Sequence, residues 1–180
     1  MDIFVFPATT APHDGRLICG DLDFPCAVGR NGIYANKIEG DGVTPTGGFP
    51  LRRLLYRPDR LSRPKTGLEA TVILAEDGWC DDPDDPAYNR PVPVAYPGHC
   101  ETLWRHDHRY DLIIILGHND DPVRKGQGSA VFLHVAGCLS DGSLAPTEGC
   151  VALALDNLLK VLEKIDGDSR LIVKETGLSA

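Results

Sequence analysis

A histidine and a cysteine in this chain have the types and spacing of an acyl-transfer pair. Residues 130 to 136 form an apolar run broken only by His134, and sixteen positions after that histidine Gly149-Cys150 opens a second apolar run. A thiol with the ordinary pKa of ~8.5 is mostly protonated at neutral pH, so an imidazole that takes its proton turns a poor nucleophile into a good one. Gly149 allows a sharp backbone turn, and the N–H groups of Gly149 and Cys150 can then point at a developing oxyanion. Two rivals share these residue types. His118, in the turn Gly117-His118-Asn119-Asp120 after an apolar run, competes as the base. Cys138 also follows a glycine, but on one extended strand it would lie ~13 Å from His134 at ~3.3 Å per residue, out of hydrogen-bond reach. If the chain is an enzyme of this type, Cys150 is expected to alkylate ahead of Cys138.

With His134 followed by Thr147-Glu148-Gly149-Cys150, and with an early Thr44-Pro45-Thr46-Gly47-Gly48-Phe49, the chain resembles the L,D-transpeptidase catalytic domain (YkuD-like) family of peptidoglycan metabolism over roughly residues 15 to 165. The resemblance implies that Cys150 is the nucleophile and His134 the base. It further implies that a backbone carbonyl, at Val135 or a neighbour, orients the imidazole. Two positions depart from the family pattern. Glu148 stands where histidine is common, and Ala152 stands where an arginine often lies close to a substrate carboxylate. Carboxylate recognition must then come from elsewhere or be absent. Arg30, Asn89, Arg90, His118 and Thr147 are the candidate substrate-binding residues, and no cofactor or metal is expected.

The elements that must position these groups read as many short strands. Arg16–Cys19 and Phe24–Val28 are strand-like, and Asn31-Gly32 is a hairpin signal. Residues 39 to 48 hold four glycines and a proline and read as a shaped loop that needs the backbone freedom of Gly47 and Gly48. Phe49–Arg57, Thr71–Ala75 and Leu171–Lys174 are further strands, and Asp111–Gly117 is a β-branched run of the kind covered on both faces. Residues 77 to 90 read as a long polar loop, a lid or binding wall. Leu155, Leu158, Leu159, Leu162 and Ile165 mark one face of a helix, with Asp156 as N-cap and Gly167 as stop. The expected fold is mainly β: a single β-sandwich-like catalytic domain over residues 1–180 with one clear C-terminal helix and with Val131, Leu133 and Ile114 on the sandwich faces.

Composition bounds the partners. A net charge of −8 over 180 residues argues against nucleic acid and anionic membrane surfaces, and no apolar stretch approaches the ~18 residues of a membrane span. Eight basic and three acidic residues lie between Arg30 and Lys65; they form either a positive wall near the site or ordinary solvated faces. Of the six cysteines none forms Cys-x-x-Cys, and with a core of this size reduced thiols are expected. His99, Cys100, His106 and His108 are zinc-ligand types in no structural zinc spacing. Met1–Pro7 lacks the basic start and apolar length of a secretory signal, so a cytoplasmic location is expected, or a periplasmic one if a signal has been removed.

The expected chemistry is cysteine acyl transfer at the L–D bond of a peptidoglycan stem tetrapeptide or muropeptide. Water as acceptor makes an L,D-carboxypeptidase of murein recycling; an amine makes an L,D-transpeptidase. A papain-like peptidase fits poorly, since here the histidine precedes a late cysteine. A non-catalytic peptidoglycan-binding module with an inert Cys150 remains an alternative, and the oligomeric state is open.

Overall fold

The apolar run ahead of Gly117 is buried on both faces because two different layers cover it. The computed structural model describes residues 1–175; residues 176–180 of the expected domain lie outside them. In chain order, β1 (Ile3–Pro7), β2 (Asp14–Cys19) and β3 (Leu22–Ala27) form an antiparallel meander. Short β4 (Ile33–Tyr34) and β5 (Thr44–Pro45) pair in parallel, so Asn31-Gly32 leads into that bridge instead of a hairpin. The ten residues of β6 (Gly47–Tyr56) follow, then β7 (Ala70–Val72). A small sheet comes next, β8 (Asp77–Cys80), β9 (Pro91–Pro93) and β10 (Cys100–Thr102). The chain closes with β11 (Leu112–Leu116), β12 (Phe132–Val135), β13 (Val151–Leu153), α1 (Leu155–Leu162) and β14 (Arg170–Val173).

The expected sandwich is corrected to a closed, barrel-like sheet. The main sheet runs β11-β12-β13-β3-β2-β1-β14-β6-β7, and β11 also pairs with β6. Closure depends on the length of β6: its first residues pair with β14, while Leu51–Tyr56 pair with β11. A ring closed through β6, with β7 appended along it, replaces two stacked faces. Ile114, Leu133, Val151 and Leu153 point into the ring with Ile3, Val5, Leu17 and Leu54, all fully buried. Each contributes on the order of 1.5–3 kcal/mol by leaving water. The outward side chains of the same strands, Ile113, Ile115 and Phe132, form a second cluster with Cys150, just ahead of β13, and with Trp79, Leu103 and Tyr110. The small sheet therefore lies over the outer wall of the ring, and the candidate site opens at that junction.

Two local readings change with it. Residues 77 to 80 are not loop: Trp79 is buried, and Asp77-Gly-Trp-Cys pairs with both β9 and β10. Asp156 does not cap the helix, whose N-cap is Ala154 with no side-chain bond; Asp156 falls in the first turn, where its charge still suits the helix dipole. The helix ends at Leu162, ahead of Gly167; beyond it Gly67 N–H donates to the Ile165 carbonyl at 3.0 Å while the Ile165 side chain enters the core.

Candidate active site

Strand pairing brings His134 and Cys150 together. β12 and β13 are parallel, with Leu133 opposite Val151 and His134 opposite Ala152. Side chains alternate along a strand, so His134 shares the outer face with its partner Ala152 and with Cys150, two positions before Ala152. Two residues of rise and one strand spacing separate their Cα atoms by about 8 Å, within reach of a thiol and an imidazole. Both line a cleft of about 470 Å³ with Tyr110, Glu101, Arg109 and Glu148.

The imidazole is fixed from behind. Its Nδ1 lies 2.8 Å from the Val135 carbonyl, which can only accept, so Nδ1 carries the proton and Nε2 keeps its lone pair. Tyr110 packs edge-on against the ring at 5.2 Å between centroids. Burial pushes the His134 pKa down to about 4 against the opposing Val135 bond, with Arg109 and Arg105 lowering it further. The thiol is held as firmly. It donates to the Ala130 carbonyl at 3.2 Å and accepts the Phe132 N–H at 3.3 Å. Burial pushes its pKa up to about 12, with the Phe132 bond opposing and Glu101 adding to the rise. At rest the pair is thus a neutral thiol and a neutral imidazole.

The turn before Cys150 is built by hydroxyls. Thr147 Oγ1 donates to the Cys150 carbonyl at 2.7 Å and accepts the Gly149 N–H at 3.2 Å. Thr44, from the early motif, donates to the same carbonyl at 3.2 Å. Gly149 has φ 138, and a Cβ there would stand 2.8 Å from the Val43 carbonyl, so only glycine fits. Because its N–H is engaged by Thr147, the Cys150 N–H is the remaining oxyanion donor of the expected pair.

The other sequence candidates scatter. Thr147 lines the cleft as a buried turn-builder. Arg30 is at the rim, ion-paired with Glu148 through Nη1 to Oε1 at 2.5 Å. Asn89 is buried, not substrate-facing: its Oδ1 accepts Trp79 Nε1–H at 2.9 Å and Ala130 N–H at 3.1 Å, while Nδ2 donates to the His118 and Asn119 carbonyls. His118 bonds the Gln127 carbonyl at 2.9 Å and packs on Phe49, away from the cleft. Arg90 lines a separate groove with Arg53 and donates to the Asp120 carbonyl. Cys138 is exposed, and all six cysteines are free. His99 bonds Asp81, His108 bonds Asp111 and Cys100 faces Cys80, so the zinc-type residues engage different partners. Of the basic segment from Arg30 to Lys65 only Lys37 lines the cleft; Arg105 and Arg109 supply its other cations. Those two, with Glu101, Tyr110 and Thr44, were missed as site residues. The basic run Arg105-His-Asp-His-Arg109 just ahead of β11 was the available signal.

Comparison with curated proteins and with solved structures returned no match. Residues 9–173 match the sequence model described as L,D-transpeptidase catalytic domain, YkuD. That span includes His134, Cys150 and nearly all of the described chain, and the protein therefore belongs to the YkuD family of cysteine-dependent L,D-transpeptidase-type domains.

Proposed function

We propose that the protein is an L,D-carboxypeptidase acting on peptidoglycan stem tetrapeptides. Cys150 Sγ attacks the carbonyl carbon of the L-centre in the third residue as His134 Nε2 takes the thiol proton. The tetrahedral oxyanion lies toward the Cys150 N–H. Collapse breaks the C–N bond, the imidazolium returns its proton to the leaving amine, and D-alanine departs. Water then attacks the thioester with His134 again as base, leaving the tripeptide carboxylate and the free thiol. The observation that carries this reading is the bond from His134 Nδ1–H to the Val135 carbonyl, which leaves a basic nitrogen in the same cleft as the thiol.

Water as acceptor makes the smaller demand on this cleft. Lys37 is tied to Asp41, Arg105 to Asp107 and, at the rim, Arg30 to Glu148, which leaves Arg109 as the one weakly engaged cation among the described residues of the lining. An amine acceptor needs alignment, and water needs only access. A hydrolase that trims recycled tetrapeptides would meet them inside the cell, and that location belongs to the same proposal. The test is mass spectrometry of products from a free tetrapeptide with excess glycine or D-methionine. The expected result is D-alanine plus tripeptide. A dominant exchanged or cross-linked product would make the protein a transpeptidase instead.

A further inference from the structure

We infer that Arg109 holds the free carboxylate of the residue that leaves, so that the cleft selects acyl donors ending one residue beyond the scissile bond. The inference rests on the acyl-transfer reading above. Among the cations lining the cleft, Arg109 is the least engaged. Lys37 has 5% of its side chain exposed and is paired with Asp41. Arg105 grips Asp107 through two bonds of 2.9 and 2.6 Å and lies over the Tyr110 ring. Arg109 reaches the same Asp107 only at 3.8 Å, and 44% of its side chain is exposed.

A glycine makes room for it. A Cβ at Gly137 would lie 2.8 Å from Arg109 Nε and 3.1 Å from Nη2. The backbone at Gly137 has no left-handed φ, so conformation does not demand glycine there, and the missing Cβ leaves the guanidinium its place. Gly137 itself lines the cleft. The space occupied is therefore a seat beside the reacting groups.

Its place suits a leaving-group anchor. The Arg109 carbonyl accepts the Val135 N–H at 3.1 Å, which sets Arg109 next to His134. His134 protonates the leaving amine, and the carboxylate of the leaving residue is attached to the carbon that bears that amine. A group that binds this carboxylate must therefore neighbour the imidazole. Lys37 approaches from the other side, with Nζ 3.2 Å from a Cβ built on Gly149. Ala152, opposite His134, carries no charge. A planar guanidinium can grip a carboxylate with two parallel N–H···O bonds, which fixes the leaving residue's direction as well as its position.

The experiment compares a tetrapeptide with a free C-terminal carboxylate and its C-terminal amide, by turnover on the parent and by calorimetric binding on a Cys150→Ala background. The acid should be favoured by about ten- to a hundredfold, expressed mainly in KM. Arg109→Gln should bring the acid-to-amide ratio of KM and of binding close to one, and Arg109→Lys should retain part of the preference. Gly137→Ala, which displaces the guanidinium but keeps its charge, should weaken the preference in the same direction. An acid-to-amide ratio unchanged by Arg109→Gln, or a parent that binds and cuts both equally, overturns the inference. Binding that favours the acid through Arg109 with no turnover of either peptide would uphold the anchor and overturn the carboxypeptidase reading.

Discussion

The proton on Cys150 decides when the site can react. Burial holds it on sulfur, directed at the Ala130 carbonyl, and burial keeps His134 neutral. The competent free enzyme is then the neutral pair, and proton transfer accompanies attack on the substrate carbonyl instead of preceding it. For D-alanine release, kcat/KM should stay flat from about pH 6 to 9 and fall on the acid side with a limb near the His134 value of about 4. A rate profile with its acid limb near ~6.5, the ordinary histidine value, would show that the imidazole is more hydrated than the structure has it. The same burial reverses one expectation from sequence: exposed Cys138 should alkylate ahead of Cys150 in the resting protein.

At the scale of elements, the loop that carries the Ala130 carbonyl is pinned by Asn89. Both residues have positive φ, 55 for Asn89 and 50 for Ala130, and the Asn89 side chain joins Trp79 of β8 to the Ala130 N–H. Asn89→Ala would leave two buried donors without partners, at about 1–3 kcal/mol each. Chemical denaturation should record a loss of about 2–5 kcal/mol, with a fall in kcat as the thiol loses its carbonyl partner. Unchanged stability and turnover would show the network to be incidental. Asn89 also marks where sequence reading stopped: a polar residue in a loop serves a substrate or a scaffold equally well, and only the folded neighbours distinguish the two. The strands around Ile114, Leu133 and Leu171 were legible from their apolar runs, and the helix from its period. β8 was not, because Asp-Gly-Trp-Cys has the composition of a turn and becomes a strand only through partners on both sides. Barrel closure was hidden for the same reason, since it depends on β6 pairing with both β14 and β11. His134 and Cys150 were legible from the motif, whereas Arg109 lay in a run noticed only for its histidines.

For the whole molecule, the ring supplies the stability and its outer wall supplies the chemistry, so buried titratable groups on both faces link folding to pH. The folded pKa of His134 lies below its unfolded value. The unfolded chain therefore binds more protons between about pH 4 and 6.5, and stability rises with pH through that window. Burial raises Cys26 and Cys150 to about 12; above about pH 9 the unfolded thiols ionise while the folded ones resist, and stability falls. Each thiol should lower the melting temperature by about 2–4 °C per pH unit in that alkaline range. Scanning calorimetry across pH should show the plateau between the two limbs, and Cys150→Ala should make the alkaline one shallower; an alkaline limb unaltered by that substitution would place the thiol in water. The central claim, that Cys150 forms a thioester with the L-centre of an L–D bond, is tested most directly by intact-protein mass spectrometry after rapid acid quenching with a stem tetrapeptide. The account predicts an adduct of tripeptide-acyl mass on Cys150 that appears with released D-alanine and is absent from Cys150→Ala. Turnover by the Cys150→Ala protein, or an adduct on another residue, would contradict it.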